Sequence, residues 1–371
     1  MKNKFFPALA VLVGTIIGAG FLGIPYVVSK SGFIPGIILL AFVAGFMLLI
    51  KLYLGEIALR TKGNHQLTGY AEKYLGRKGK WLMFLSMFFG IYGALTAYLI
   101  AEGKSFSYMF FGNFDYSLLF SLGFWIVLAV LSFDGLSALK RYEKIAMFFV
   151  ISLIIVIVGI FSFKIDVNNL NYIGSFKQLF IPFGVMVFSF LAFSSMPEVK
   201  RILSGQEGKM KKVILWAAGI AFFVYLIFVA IIIGVYGRNV EEIATLNLGR
   251  FFSLLGILTM FTAFFTQTIA IRDMFRFDFS LGRFRGWLLA CFIPLAAFLI
   301  VYYFNLASFI SIISLAGVIS GGLAAVLILI MNHKAKKLGN RKPEYSVKIN
   351  WWIITILSLI FIAAVVFECV R

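Results

Sequence analysis

A glycine-rich stretch near the start of the chain, GTIIGAGFLGIPY, has residue types that suit ligand binding through the backbone. It runs from Gly14 to Tyr26 and also contains Gly18, Gly20, Gly23 and Pro25. Glycine tolerates dihedral angles that other residues resist, and proline removes a backbone donor, so a helix can unwind here. A half-helix before such a break ends in free carbonyl groups, which suit an ammonium group or a small cation. The half-helix after the break begins with free N–H groups, which suit a carboxylate.

A second stretch, FSFLAFSSMPEV at residues 188–199, has a similar character about 170 residues later. Ser194, Ser195 and Pro197 lie just past the centre of its apolar segment. Two broken helices side by side match the zwitterionic backbone of an amino acid. The alternative is that the glycines only allow helices to pack closely, as small residues do in membranes. The glycine cluster and the second break together favour a binding site.

Both stretches lie in long apolar segments. The 371 residues are 62% hydrophobic and only 13% charged, which is far too apolar for a soluble protein of this size. Apolar runs of about 20 residues recur along the whole length, and they predict an all-α polytopic membrane protein. We predict eleven spans, at residues 6–28, 33–59, 81–103, 116–132, 144–163, 178–199, 213–236, 247–271, 286–304, 308–331 and 349–368.

The spans predict an internal repeat within one transmembrane domain, residues 1–371. Each of the first five spans is followed by a partner five spans later, at an offset of about 170 residues. Because five is odd, the second set must cross the membrane in the opposite direction, as in transporters built from inverted repeats. This predicts repeats at about 6–163 and 178–331, with an extra helix at about 349–368. The two breaks then fall in the first helix of each repeat.

The net charge of +19 reports topology rather than a nucleic-acid partner. Most Lys and Arg residues fall in the segments on the side of the N-terminus, which is the positive-inside pattern. We therefore expect a multi-pass protein of the cell (plasma) membrane, with its N-terminus cytoplasmic and its C-terminus extracellular. Its expected partners are an amino acid substrate and membrane lipids, with no nucleic acid. The pattern leaves a monomer and a weak homodimer open.

Three quoted segments carry a family resemblance. GTIIGAGFLGIPY resembles the first-helix signature of amino acid permeases in the amino acid–polyamine–organocation (APC) superfamily. YAEKYLGRKGKWLMFLSMFFGIYGALTAYLIAEG, residues 70–103, is similar to the second-to-third-helix region of bacterial tyrosine and tryptophan permeases, the aromatic amino acid permease group. FSFLAFSSMPEV is similar to the sixth helix of the related eukaryotic neutral amino acid transporters. The resemblance covers spans one to eight and implies the LeuT-like fold and coupled amino acid uptake by symport. The sixth span lacks a clear match to the tyrosine permeases, so tyrosine specificity does not carry over.

The resemblance also implies a substrate site built from both broken spans and from span three. The residues of span one and Phe188 to Phe190 would bind the substrate through their backbone, with the Thr15 hydroxyl adding a contact. Phe190 and Phe193 would wall the side-chain pocket, and a tyrosine of span three would close over the substrate. The implied substrate-binding residues are Gly14, Thr15, Gly18, Ala19, Gly20, Tyr92, Tyr98, Phe188, Ser189, Phe190 and Phe193.

The coupling ion is left open between H⁺ and Na⁺, and we expect no other cofactor. The permeases that the chain resembles are expected to be proton-driven, and Glu102 is the candidate titrating group because it could face an outer vestibule. In sodium-coupled members of the fold, the ion would bind the span-eight hydroxyl Thr262, with Thr266 nearby, and carbonyls of Gly14 and Ile17. The alternative is that these threonines bond back to their own helix.

The other ionisable residues that a proton-coupled carrier could use are Glu56, Lys51 and Glu198, which follows Pro197, and Glu102 is preferred over them. Glu56 lies one turn before Arg60, which predicts an ion pair, and Lys51 is expected to extend toward the nearer membrane surface. Because a cationic substrate would need a buried carboxylate, the scarcity of deep acids favours a neutral, apolar or aromatic amino acid. Cys291 and Cys369 are expected on opposite sides of the membrane, so we predict no disulfide between them.

Other function classes fit less well. The sequence shows no Walker loop, dinucleotide fingerprint or haem ligands in the spans, so we do not expect an enzyme. A channel fits the hydropathy, but breaks at matched repeat positions favour alternating access. An amino acid sensor on the same fold stays an alternative, because fold does not determine function.

Overall fold

The computed structural model describes residues 3–63, 65–134 and 136–370, and only the backbone of residues 134, 136–148, 364 and 368–370. The described residues are almost entirely helical, with one isolated antiparallel bridge between Gly32 and Ile173. Their α-helices are α1 (Phe5–Ile16), α2 (Gly20–Ser31), α3 (Phe33–Arg60), α4 (Leu67–Phe111), α5 (Ser117–Asp134), α6 (Leu136–Phe161), α7 (Phe176–Leu179), α8 (Pro182–Ser189), α9 (Met196–Ile202), α10 (Met210–Tyr236), α11 (Ser253–Phe277), α12 (Arg283–Phe304), α13 (Phe309–Ala316), α14 (Gly322–Leu338) and α15 (Trp351–Val370).

The chain is an integral membrane protein by the length and composition of its helices. Within the described residues, seven helical segments are long and apolar enough to cross a membrane, and α1 with α2, bent by 47°, makes an eighth. Three shorter apolar helices add to these, at Ser117–Phe133, Phe149–Lys164 and Trp351–Phe367. Each predicted span coincides with helical structure, so the all-α membrane architecture is confirmed. The count of eleven spans stays a prediction.

The two helices that contain breaks run antiparallel, side by side. α1 packs against α9, and α2 packs against α8, so the first half of one broken helix lies beside the second half of the other. α3 and α10 pack on one flank of this pair, and α4, α11 and α12 form a second packed group. The breaks in the two helices therefore lie in the interior, between these two packed groups.

α4 is longer than the predicted span 81–103. It starts at Leu67, changes direction at Gly76, where φ is 74°, and ends at Gly112, whose left-handed conformation caps the helix. Hydropathy alone ended the span near Lys104, but the helix continues for about two more turns. Glu102 consequently lies roughly 13 Å inside the end of α4 rather than at its rim.

The segment 339–350, between α14 and α15, runs along the end of α3. The Glu56 carboxylate accepts hydrogen bonds from the Ser346 hydroxyl and the Val347 N–H, both at 2.8 Å. The same carboxylate pairs with Arg60 at 2.8 Å, so the predicted ion pair is confirmed. The Tyr345 hydroxyl adds a hydrogen bond of 2.7 Å to a carbonyl of α3. These contacts cover the end of α3 with polar partners.

Candidate substrate site

The first helix is broken where the glycine cluster predicts. α1 ends at Ile16 and α2 begins at Gly20, and Ile17 between them has a non-helical ψ of 63°. No side chain caps the N-terminus of α2 at Ala19. Leu22 donates its N–H to the Ala19 carbonyl at 3.1 Å, which leaves the N–H groups of Gly20 and Phe21 without a partner within the helix. The helix dipole adds positive potential at this end. The break therefore presents donors suited to a carboxylate.

The break in the second helix lies a few residues before the serines and the proline that predicted it. α8 ends at Ser189, and Ala192 takes the left-handed conformation at φ 44°. A short 3₁₀ turn follows, and Pro197 lies in the first turn of α9, where a proline is tolerated. The predicted break is confirmed, and it falls between Phe190 and Ala192.

The two breaks touch each other at Gly20 and Ser189. A Cβ atom added to Gly20 would lie 2.5 Å from the Ser189 Oγ and 2.8 Å from the Ser189 Cα. Only a glycine allows α2 to approach α8 this closely. The glycine therefore serves close contact between the two halves as well as backbone freedom.

Tyr225, on α10, joins the two breaks. Its hydroxyl donates toward the carbonyl oxygen of Ile16, at 2.6 Å, and toward that of Ser189, at 2.9 Å. These are the last residues of α1 and α8, and the side chain of Tyr225 is fully buried. Sequence reasoning missed this residue, because a single tyrosine in an apolar span carries no local signal of its partners.

A cavity of about 40 Å³ lies between the breaks, which is room for a few water molecules in this conformation. The side chains and backbone that surround it come from the two broken helices, from α4, α11 and α14, and from the π-helical turn at 317–321. Its lining residues are Thr15, Ile16, Gly18, Gly20, Met87, Gly90, Ile91, Tyr98, Phe188, Ser189, Leu191, Ala192, Phe193, Ser194, Gln267, Ser320 and Ala324.

The structure brings together a majority of the substrate-binding residues that the sequence predicts. Those that line the cavity are Thr15, Gly18, Gly20, Tyr98, Phe188, Ser189 and Phe193. The Thr15 hydroxyl donates to the Val11 carbonyl of its own helix at 2.8 Å. Tyr98 lies beside Phe188, with ring centroids 6.5 Å apart.

The other predicted residues lie around the cavity rather than in its wall. Gly14 is on α1, one turn before the break, and Ile17 and Ala19 are within the break. Phe190 points away from the cavity and packs on Tyr225. The Tyr92 hydroxyl donates to a carbonyl of α12 at 3.0 Å, so this side chain faces the neighbouring helix.

Several lining residues were not predicted. Gly90 and Ser320 face each other across α4 and the π-helical turn: a Cβ on Gly90 would lie 2.2 Å from the Ser320 hydroxyl. Such π-helical turns frequently occur at functional sites. Gln267 is the one amide side chain in α11, and this could have marked it. The small residues gave no comparable signal, because the chain has 34 glycines.

A line of cavities connects the site to the side of the membrane on which the N-terminus lies. A second cavity shares Ser194 with the first, and a cleft of about 630 Å³ shares Gln66, Glu198 and Arg201 with the second. At the neck between the first two, the Ser194 hydroxyl donates to the Gln267 amide oxygen at 3.4 Å. These shared residues place a candidate access route on this side.

The threonines of α11 bond to their own helix. The Thr262 hydroxyl donates to the carbonyls of Leu258 and Thr259, at 3.2 and 3.0 Å, and the Thr266 hydroxyl donates to that of Thr262 at 2.8 Å. This is the arrangement that the alternative to a sodium site describes. The described residues also contain no cluster of three or more His, Cys, Asp or Glu side chains that could hold a metal ion.

Two ionisable side chains are placed differently from their predictions. Glu102 does not face a vestibule in this structure: it is fully buried, and neither carboxylate oxygen has a hydrogen-bond partner among the described residues. Lys51 does not extend to the membrane surface: α3 continues beyond it to Arg60, and its Nζ atom lies beside the Phe190 ring, 5.6 Å from the centroid. Its side chain is fully buried as well.

Comparison with known proteins places this geometry in a family. Residues 1–246, which include both breaks, match the tryptophan/tyrosine permease family. Tyrosine-specific transport system 1 of Haemophilus influenzae is 23% identical over 370 residues, 92% of this chain and 90% of that protein. Amino acid transporter ANT1 of Arabidopsis thaliana is 28% identical over 278 residues, and Glutamine transporter 2 of Aliivibrio fischeri is 21% identical over 243 residues.

The matches with the last two cover 69% and 63% of this chain, and they span only 62% of each relative's length. The matched family and these relatives are permeases and transporters, so the prediction that the chain is not an enzyme is confirmed. The chain belongs to the tryptophan/tyrosine permease family.

Proposed function

We propose that the chain is a secondary active transporter that imports a neutral amino acid together with a proton by alternating access. The convergence of the two antiparallel broken helices at Tyr225 carries this proposal. The N–H groups that begin α2 suit the substrate carboxylate, and the carbonyl groups in the last turn of α1 suit its ammonium group. The Ser189 carbonyl at the end of α8 is already bonded to Tyr225. Membership of the permease family supports an amino acid as the substrate.

The cavity wall supports a neutral side chain on the substrate. None of the described lining residues is charged, and a charged side chain would need an opposite charge in a site this deep. Met87, Ile91, Phe188 and Phe193 offer apolar contacts, which suit an apolar or aromatic amino acid. Gln267, together with Ser194, offers hydrogen bonds to a polar group at the end of such a side chain.

The same proposal includes the LeuT-like architecture: eleven spans, with inverted repeats at about 6–163 and 178–331. The antiparallel packing of the two broken helices supports it, because a repeat in inverted orientation produces that arrangement. The series of cavities with shared lining residues between the site and the side of the N-terminus supports alternating access, because it offers a route to that side. In this account α3 and α10 move with the broken helices against α4, α5, α11 and α12.

Proton coupling is the form of energy use that we favour. Glu102 is one turn after Tyr98 on α4, and its buried carboxyl group has no partner among the described residues. Such a group is costly as an anion, so it favours the protonated form here and can release the proton where water reaches it. Sodium coupling through Thr262, Thr266, Gly14 and Ile17 is the alternative, and it requires the hydroxyl oxygens to accept the ion while they donate within α11.

The experiment that tests the site is counterflow in proteoliposomes that contain the purified protein. Liposomes are loaded with one unlabelled amino acid at a time, from a panel of neutral, cationic and anionic species, and uptake of the labelled form is measured. We expect exchange of one or a few neutral amino acids, and loss of exchange in Gly18→Leu, because a Cβ there already lies 3.3 Å from the Ala263 Cβ.

Gly219→Leu is the matched control for that variant, since a Cβ at Gly219 meets no atom within 4 Å. Normal exchange by a well-folded Gly18→Leu protein would remove the binding role of the first break. Exchange of charged amino acids only would contradict the proposed substrate class. A unitary conductance would indicate a channel, and binding without any flux would indicate a sensor.

A further inference from the structure

Lys51 has a fully buried side-chain amine without a hydrogen-bond partner among the described residues. It lies well inside α3. The Nζ atom lies 5.6 Å from the centroid of the Phe190 ring. The amine of Lys51 therefore faces the aromatic ring of Phe190.

Two aromatic side chains connect Lys51 with both helix breaks. Phe190 is the first residue after α8, and its ring packs edge-on against Tyr225, with centroids 5.0 Å apart. The Tyr225 hydroxyl in turn bonds to the ends of α1 and α8, at Ile16 and Ser189. A movement of the break in the second broken helix must therefore change the surroundings of Lys51.

No charge in the described part of the chain compensates Lys51. The nearest acid along its own helix, Glu56, is held by Arg60 and by the segment 339–350. α8, which also packs against α3, has no titratable side chain. The titratable side chains on the other elements along α3 are Tyr26, Lys30, Glu198, Lys200, Arg201, Lys211, Lys212, Tyr225, Tyr236, His333, Lys334, Lys336, Lys337, Arg341, Lys342, Glu344, Tyr345 and Lys348. None of these pairs with Lys51 in the described residues. Of them, Tyr225 packs against Phe190, and its hydroxyl is engaged with the two carbonyls.

An unpaired ammonium at this depth is costly, and a contact with one aromatic face offsets only part of that cost. The neutral amine is therefore the favoured form in the conformation seen here. If the second break moves Phe190 away and admits water, the ammonium becomes the favoured form. Each conformation then prefers one protonation state of the same side chain, which is the condition for linkage between protons and conformation.

We propose that Lys51 carries a proton through the transport cycle: it takes the proton from water when the second break admits water, and it gives the proton up to the leaving water as Phe190 returns and the amine is buried again. This inference rests on the proposed function, and it adds Lys51 to Glu102 as a proton-carrying group. Lys51 does not line the cavity, so it acts on the substrate through Phe190, Tyr225 and the two breaks. It is therefore a coupling residue rather than a substrate contact.

The first test measures conformation without any substrate. Cys291 and Cys369 are replaced by serine, Ser194→Cys places one thiol at the neck of the cavity, and its maleimide labelling rate is measured from about pH 5.5 to about pH 9. The rate of the same thiol in the unfolded protein corrects for thiol ionisation. We expect a several-fold change in the corrected rate across this range in the parent protein.

Three variants assign that change to a residue. Lys51→Met should hold the rate near one end of the parent's range at every pH. Lys51→Arg should hold it near the other end, because arginine stays charged. Glu102→Gln should keep part of the pH dependence, because Lys51 still titrates in that variant. A Lys51→Met protein with the parent's pH dependence would overturn the proposal, as would a flat profile in the parent or a profile abolished only by Glu102→Gln.

The second test measures transport by the same proteins. Under a gradient of one pH unit, symport of one proton permits about tenfold accumulation of a neutral substrate. Lys51→Met should lose this accumulation and keep counterflow exchange, and unchanged accumulation would again overturn the proposal. Failure of the wild-type protein to move any amino acid would refute the proposed function instead, and the labelling result would still decide the role of Lys51.

Discussion

The hydroxyl of Tyr225 lies 2.6 Å from the carbonyl oxygen of Ile16, the last residue of the first half-helix. The same hydroxyl is 2.9 Å from the carbonyl of Ser189, which ends the corresponding half of the second broken helix. One side chain of α10 therefore holds both breaks in register. α10 contributes no lining residue to the cavity. Its Tyr225 nevertheless positions the ends of α1 and α8, which form two walls of the cavity.

Tyr225→Phe tests this relationship. The change removes the hydroxyl and leaves two buried carbonyl groups without their shared donor, which costs about 1–3 kcal/mol. We expect uptake to fall about tenfold or more, with a modest fall in Tm. Tyr53→Phe is the control, because its hydroxyl also bonds to a carbonyl, that of Lys348 at 2.9 Å, but away from the site. Equal uptake by the two variants would show that Tyr225 is not needed to hold the breaks.

Gly20→Ala tests the contact between the breaks. The added methyl group would lie 2.5 Å from the Ser189 Oγ, so α2 and α8 must separate. We expect loss of uptake in a protein that still inserts into the membrane, measured in proteoliposomes after a monodisperse size-exclusion profile. Gly123→Ala is the matched control, since a Cβ there meets no atom within 4 Å. Wild-type uptake by Gly20→Ala would show that the close approach is dispensable.

Gln267→Leu tests whether the cavity recognises the end of the substrate side chain. If Gln267 binds a polar terminal group, its loss removes one hydrogen bond, which is worth about 1 kcal/mol. We expect the KM for tyrosine to rise about fivefold relative to that for phenylalanine. The measurement is competition between the two amino acids in the counterflow assay. An unchanged ratio would place the side-chain end elsewhere in the cavity.

Asp278 predicts a pH effect on stability outside the membrane. Burial raises the pKa of this carboxyl above its usual value, while a hydrogen bond from Thr68 and the charges of Lys80 and His65 partly oppose the shift. Because the pKa is higher in the folded protein, folding favours the protonated form. This contribution is full at low pH and is lost as the pH rises through the raised pKa.

The variant that isolates this effect is Asp278→Asn, which cannot titrate. We expect the Tm of the wild type, relative to that of Asp278→Asn, to rise as the pH is lowered from neutral toward 4. A difference that stays constant, or falls, with decreasing pH would contradict the sign of the shift.

Glu56→Gln tests the contacts between the segment 339–350 and the end of α3. The Glu56 side chain is fully buried and bonds to Arg60, Ser346 and Val347. Loss of a buried carboxylate leaves its cation uncompensated, and we expect a cost of about 2 kcal/mol, seen as a lower Tm. Glu344→Gln is the control, because its pair with Arg341 is more exposed and contributes less. Equal falls in the Tm of the two variants would argue against a structural role for the contacts of the segment 339–350.

Local patterns in the sequence were sufficient to predict the helices and both breaks. Glycine and proline act on the backbone where they occur, so the clusters at residues 14–25 and 188–199 locate the breaks within a few residues. Hydropathy likewise locates the apolar helices, although it ended α4 too early because helical structure continues beyond the most apolar run.

Long-range relationships could not be predicted in the same way. The partners of Tyr225 lie 209 and 36 residues away, and nothing near that tyrosine indicates them. The Lys51 side chain was expected to extend from within its span toward the nearer membrane surface, because lysine is long enough to do so. Its Nζ atom instead lies 5.6 Å from the centroid of the Phe190 ring, which belongs to a helix break far along the chain. Tyr92 and Tyr98 are both in α4, and only packing decides which one faces the cavity.

The central claim is that this site couples a neutral amino acid to protons. The most direct measurement is accumulation of the amino acid identified by counterflow, in proteoliposomes with a pH gradient alone or a sodium gradient alone. Our account predicts accumulation with the pH gradient, none with the sodium gradient, and none with Gly20→Ala under either. Accumulation with the sodium gradient alone would contradict proton coupling and direct attention to Thr262 and the carbonyls of the first break.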